Sequence, residues 1–296
     1  MKKLLRPLSA VLFATGVVLA QDQAPATKKP RVHVIGASVS GGFRDGPMTG
    51  AQEQGDSVTL QHVLKAWCGE HARATTHGPL EMMAMFTKPE EIGERQVTAA
   101  LKAKPDAVVA IDFPFWFAYG YVDGEEAKAR TERFAKGLAL LAKLEVPLLV
   151  GDLPDMQGAA RRMLAPAQIP SPAVLQQLNE QLAAWVKAHG NVRLVPLAGT
   201  VATMKQAGAV LPLATGALQT APGALLQGDK LHANRLGMAF LGFTLQPALN
   251  GLFGEAQALR KQQWTFEQFV AACGAEAELE AVRAAVKAPA AGGAGK

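Results

Sequence analysis

Five short strand-like runs, all but one rich in apolar residues, punctuate the chain between residues 31 and 197, and each is followed, directly or after a loop, by a stretch with helical periodicity. The runs are RVHVIG (31–36), RATTH (73–77), AVVAIDF (107–113), VPLLVG (146–151) and NVRLVPL (191–197). Helical patterns fill about 56–67, 90–103, 125–145, 172–189 and 233–250, and a last Ala/Glu-rich helix is expected at about 265–287. A strand apolar along its whole length must be covered on both faces, and helical crossovers supply that cover. The expected fold is therefore α/β, a doubly wound parallel sheet of about five strands in three α/β/α layers. Five such units fit one domain, 31–250, followed by a helical extension over 251–288. The tail at 289–296, within APAAGGAGK, is too poor in large apolar groups to order itself.

The N-terminus reads differently. MKKLLRPLSAVLFATGVVLA has a cationic start, an apolar run from Leu8 to Leu19, and small residues Val18 and Ala20 before a cut at Gln21. That is the layout of a secretory signal peptide over 1–20, with 21–30 as a flexible lead-in. The apolar run is shorter than the roughly 20 residues of a spanning helix, so export to the periplasm or medium is expected, without stable membrane insertion after cleavage. Losing Lys2, Lys3 and Arg6 takes the 30 basic residues to 27 against 25 acidic ones. A nearly neutral chain without a Lys/Arg block lacks the electrostatic footprint of a nucleic-acid binder. Hydrophobic residues make up 49% of the chain, which excludes a disordered protein.

Parallel α/β sheets bind ligands beyond the carboxyl ends of their strands, so the residues after each run carry the chemistry. GASVSGGF follows the first run but is neither a P-loop, having no Lys, nor a G-x-G-x-x-G fingerprint, and Ser40 spoils a G-x-S-x-G elbow. What it offers is Ser38, a hydroxyl two residues past a buried strand, where capping the turn is the alternative use. QGDKLHANRLG places Asp229 three residues before His232, ahead of a helix. A carboxylate at that spacing can accept the imidazole Nδ1–H and leave Nε2 free as a base. Capping of the helix start is its plainer use.

Taken together, VHVIGASVSGGF and GDKLHANRLG resemble the first and last blocks of the SGNH (GDSL-type) hydrolases, flavodoxin-like esterases with the chain order Ser, Asp, His. The resemblance spans about 31–250. It implies strand order 2-1-3-4-5, Ser38 as nucleophile, His232 as base and Asp229 as the acid that orients it. It also makes the backbone of Ser38 and of Gly78, in THGPL, oxyanion donors. The family's Gly-x-Asn-Asp block is not matched: the third run leads into DFPFWFAYG, which contains no Asn. Trp116, whose indole N–H is a donor of the right kind, is the candidate replacement, although such rings more often pack. Tyr119 could line a pocket, and Asp112, being acceptor-only while ionised, could not take the donor's place.

The implied function is an exported serine esterase acting on a small-molecule, glycan or lipid ester through an acyl-enzyme, with no cofactor and no metal. Two other functions fit the same residues. One is an SGNH-fold binding protein that has lost its oxyanion hole. The other is a metal-dependent phosphoester hydrolase using Asp112, Asp152 and Asp155, for which capping and turn roles are the plainer use. Of the other histidines, His33 reads as a core or edge residue and His62, His71 and His189 as helix-flanking, while His77 adjoins Gly78. There is no HExxH and no Cys-rich spacing. The only two cysteines, Cys68 and Cys273, fall on helices expected on one face of the sheet, so in an oxidising compartment a disulfide between them is expected.

Overall fold

In a computed structural model, which describes residues 29–43, 58–76, 82–255 and 257–287, the five expected strands form one parallel sheet. They are β1 (Arg31–Val34), β2 (Arg73–Thr75), β3 (Ala107–Ala110), β4 (Leu148–Gly151) and β5 (Val192–Val195), in the order β2-β1-β3-β4-β5. The order the resemblance implies is the order observed. The stretches assigned to a signal peptide (1–20), to most of the lead-in (21–30) and to the tail (289–296) lie outside the described residues, as do His77 and Gly78. No helix among the described residues is long and apolar enough to cross a membrane.

The helices are α1 (Ser38–Gly41), α2 (Leu60–Cys68), α3 (Met82–Thr87), α4 (Pro89–Ala103), α5 (Phe113–Ala118), α6 (Glu126–Leu141), α7 (Pro172–Ala188), α8 (Leu197–Ala202), α9 (Arg235–Asn250), α10 (Phe266–Cys273) and α11 (Glu276–Lys287). The strand alternation divides the core in two. Val32, Val34, Ala107, Val109 and Leu149 face the side covered by α2, α9 and α10. Val108, Ala110, Leu148 and Val150 face the side covered by α4, α5, α6 and α7. Residues two apart share a face, so apolar strands serve both layers. The helices answer in kind: Val174, Leu175, Leu178 and Leu182 of α7 make one apolar stripe.

The structure departs from the sequence reading in three places. The third strand stops at Ala110, short of the expected 113, and most of DFPFWFAYG is helical. Asp112 precedes a helix, α5, whose residues Phe113 to Ala118 are all buried. Pro114 lies in its first turn, where a missing N–H costs nothing. The last helix is two, α10 and α11, because Gly274 adopts a left-handed φ of 59° between them. An antiparallel hairpin, β6 (Val210–Leu213) with β7 (Gly216–Gln219), follows β5 in a stretch to which the sequence reading assigns no strand. The terminal helical segment packs on the face of the sheet expected for it, burying Phe266, Phe269 and Val270 in the same core as α2 and α9.

The expected disulfide is not formed: Cys68 and Cys273 are free and buried, with burial pushing each thiol up to about 12. The packing of α10 on α2 explains why. His62, in the first turn of α2, meets the Ala272 carbonyl through Nε2 at 3.0 Å, while Gln262, ahead of α10, donates to the Trp67 carbonyl at 3.1 Å. The two helices therefore run in opposite senses, and Cys273 sits by the wrong end of α2. Six residues separate His62 from Cys68, roughly 9 Å along the axis, beyond the roughly 7 Å that a disulfide spans between Cα atoms.

Candidate active site

The strand-to-helix turn after β1 is built around one glycine and two buried polar side chains. Gly36 has φ +139°, and a Cβ there would lie 1.9 Å from Asp112 Oδ1, so no other residue fits. The carboxamide of Gln96, reaching over from the buried face of α4, takes both polar groups of Gly36. Its Oε1 accepts the Gly36 N–H at 2.7 Å and its Nε2 donates to the Gly36 carbonyl at 2.8 Å. Below α1 stands Asp112. Its Oδ2 accepts the amides of Ala37 (3.2 Å), Val39 (3.0 Å) and Ser40 (3.3 Å), and its Oδ1 accepts the Ser40 hydroxyl at 2.6 Å. Burial pushes the Asp112 carboxyl above the usual carboxylate range, against the pull of these four donors.

The turn closes on itself as well: Gly41 N–H donates to the Ala37 carbonyl, and the Gly42 and Phe43 amides both donate to the Ser38 carbonyl, at 2.9 and 3.1 Å. From Ile35 to Phe43, then, each amide has an acceptor among the described residues with one exception, that of Ser38. The Ser38 hydroxyl makes no hydrogen bond among them either, and the residue is 6% exposed. An amide spared in this way beside a hydroxyl is the arrangement a nucleophile with its own oxyanion donor requires.

The second half of the site is the loop leading into α9. Asp229 Oδ1 accepts the amides of Leu231 (2.9 Å) and His232 (3.0 Å), which fixes the carboxylate so that Oδ2 meets His232 Nδ1 at 2.5 Å. Burial alone would raise the Asp229 carboxyl. The hydrogen bond and charge of His232, with the two amides, outweigh it and hold the group below the usual range. An ionised Asp229 makes Nδ1 the protonated nitrogen and leaves Nε2 as the acceptor. His232 is 4% exposed, and its Nε2 has no hydrogen-bond partner among the described residues. No hydrogen bond joins His232 to Ser38 among the described residues. Asn234 caps α9 through the Gly237 amide at 2.8 Å and secures the loop through the Ala224 carbonyl at 2.8 Å, so capping falls to Asn234, leaving Asp229 to the imidazole.

Phe43 ties the halves together. Its amide closes the Ser38 turn, its carbonyl accepts from Gln227 Nε2 at 2.8 Å, and its ring stacks on the His232 imidazole with centroids 4.1 Å apart. The buried Gln227 also receives the loop, its own amide donating to the His232 carbonyl at 2.8 Å.

The remaining candidates fare unequally. Trp116 is buried in α5, edge-on to Phe86 and Phe115, and its indole N–H has no acceptor among the described residues. Tyr119 is a packing residue: fully buried, stacked on Phe115, its hydroxyl donating to the Pro154 carbonyl at 2.6 Å. The three carboxylates considered for a metal are not brought together. Asp152 accepts the Ala198 amide at the start of α8, Asp155 accepts the Gln157 amide in a turn, and Asp112 lies under the Ser38 turn. Among the described residues no three His, Cys, Asp or Glu side chains cluster. His33 pairs with Thr75 Oγ1, and His189 with the Trp185 carbonyl.

Sequence reasoning passed over Gln96, Phe43 and Gln227, and gave Asp112 no part in the Ser38 turn. A signal existed for one of them, since Gln96 interrupts the stripe of Ile92, Val97 and Ala100 on the buried face of α4. Phe43 and Gln227 become legible only when the two loops meet in space.

The chain matches no protein-family model and no curated protein. Among solved structures it is similar to a gut microbial diltiazem-metabolizing enzyme, with 10% identity and a TM-score of 0.46 over 75% of this chain and 47% of that one. It is also similar to an acetyl xylan esterase, with 15% identity and a TM-score of 0.38 over 74% of this chain and 99% of that one. The chain thus spans about half the length of the first of these.

Proposed function

We propose that this chain is an exported serine hydrolase of SGNH type that cleaves a carboxylic ester through an acyl-enzyme. The observation that carries the reading is the Asp229–His232 pair at 2.5 Å, its Nε2 unpaired, joined through Phe43 to the turn that spares the Ser38 amide. In the reaction His232 Nε2 takes the Ser38 proton as Oγ attacks the acyl carbon. The Ser38 N–H stabilises the oxyanion, with the Gly78 amide and the Trp116 indole as further proposed donors. His232 then protonates the departing alcohol, and Asp229 stabilises the imidazolium between the two transfers. Water attacks the acyl-Ser38 ester by the same route in reverse. Small-molecule, glycan and lipid esters are the proposed substrate classes.

A screen of short p-nitrophenyl esters and p-nitrophenyl phosphates, with and without a chelator, tests this reading. Chelator-insensitive ester turnover is the expected result. Chelator-sensitive phosphate turnover would establish the phosphoester reading instead, and no turnover on either series would favour a binding protein.

A further inference from the structure

We propose that Phe43 is a positioning residue for this site, holding the His232 ring at a fixed angle and distance beside the Ser38 turn. The inference rests on the hydrolase reading and deepens it. Three contacts converge on this one residue. Its amide belongs to the Ser38 turn, at 3.1 Å from the Ser38 carbonyl. Its carbonyl is held at 2.8 Å by Gln227 Nε2, which at the same distance also reaches the Ala233 carbonyl next to His232. Its ring lies on the imidazole at 4.1 Å and 26°.

Asp229 fixes the imidazole at Nδ1 only, and a ring held at one atom can still swing about that bond. The phenyl face removes this freedom, so Nε2 is kept where a proton can pass to and from Ser38. The same face lies against the imidazolium as it forms, an attraction between a cation and the negative face of an aromatic ring. The contribution belongs to the transition state more than to substrate binding, so its loss should appear in kcat.

The test uses the full chain with an ester substrate, together with NMR of the histidine ring protons, His232 being assigned by its loss in His232→Asn. In the wild type the His232 ring protons should be shifted upfield by the phenyl ring current. Phe43→Leu keeps the apolar bulk and removes the ring. It should abolish that shift and lower kcat roughly tenfold while KM stays within about twofold, a factor set by the energy of one aromatic pair. Phe43→Tyr should restore both. A wild-type spectrum without the upfield shift, unchanged kcat in Phe43→Leu, or equal losses in the Leu and Tyr variants would overturn the assignment. The wild-type spectrum reads the contact without any variant, so misfolding of Phe43→Leu leaves the test intact. Ester turnover without the shift refutes Phe43 alone. The shift without ester turnover refutes the hydrolase reading and the role of Phe43 with it.

Discussion

At the scale of single residues, Asp229 and Trp116 are both buried, one with its hydrogen bonds made and the other with its N–H unmet. Asp229 has its carboxyl lowered, so its contribution to stability is fully present above the unfolded carboxylate value and disappears as pH falls through its folded one. Wild type should therefore be more stable than Asp229→Asn at neutral pH. That advantage should shrink as pH drops below about 4, the ordinary Asp value, in urea unfolding read at several pH values. Trp116 raises a different question: a buried indole N–H with no acceptor costs about 1–3 kcal/mol. If the oxyanion recovers that cost, Trp116→Phe should lower kcat about a hundredfold, the usual effect of removing one oxyanion donor. A kcat within about twofold of wild type would make Trp116 a packing residue only.

At the scale of elements, the Ser38 turn is a short piece of backbone held by remote parts of the chain. Gln96 of α4 and Asp112 before α5 each take its backbone groups, and Gly36 leaves them room. Gly36→Ala should therefore destabilise by about 3 kcal/mol, combining a positive φ with a clash against Asp112, and should lower ester turnover with it. Gly199→Ala, in α8 with open space around it, should be neutral or slightly stabilising. Thermal unfolding of the two variants side by side reads the difference. The element carrying Trp116 is braced in a similar way. Arg130 donates to the Ala118, Gly120 and Ala167 carbonyls and Arg133 to those of Phe117, Tyr119 and Tyr121, so two guanidiniums of α6 satisfy the exit of α5.

At the scale of the molecule, the strands were legible because runs apolar on both faces admit few other folds. AVVA in β3 and LLVG in β4 could only be buried between two layers. The Asp229–His232 pair was legible because three residues of separation already bring the groups within reach. What escaped the sequence depends on contacts between distant segments: the Gln96 carboxamide on Gly36, the Phe43 ring on His232, and the sense of α10 against α2 that parts Cys68 from Cys273. The hairpin β6–β7 escaped because Pro212 and Gly216 mask a strand pattern that tertiary packing of Leu211 and Leu213 nonetheless enforces.

The account stands or falls on Ser38 as a nucleophile activated by His232. A fluorophosphonate probe applied to the full chain, with the modified peptide located by mass spectrometry, tests it most directly. The account predicts one covalent adduct, on Ser38, that is lost in Ser38→Ala and forms far more slowly in His232→Ala. An adduct on any other residue, or labelling of Ser38→Ala at the wild-type rate, would contradict it.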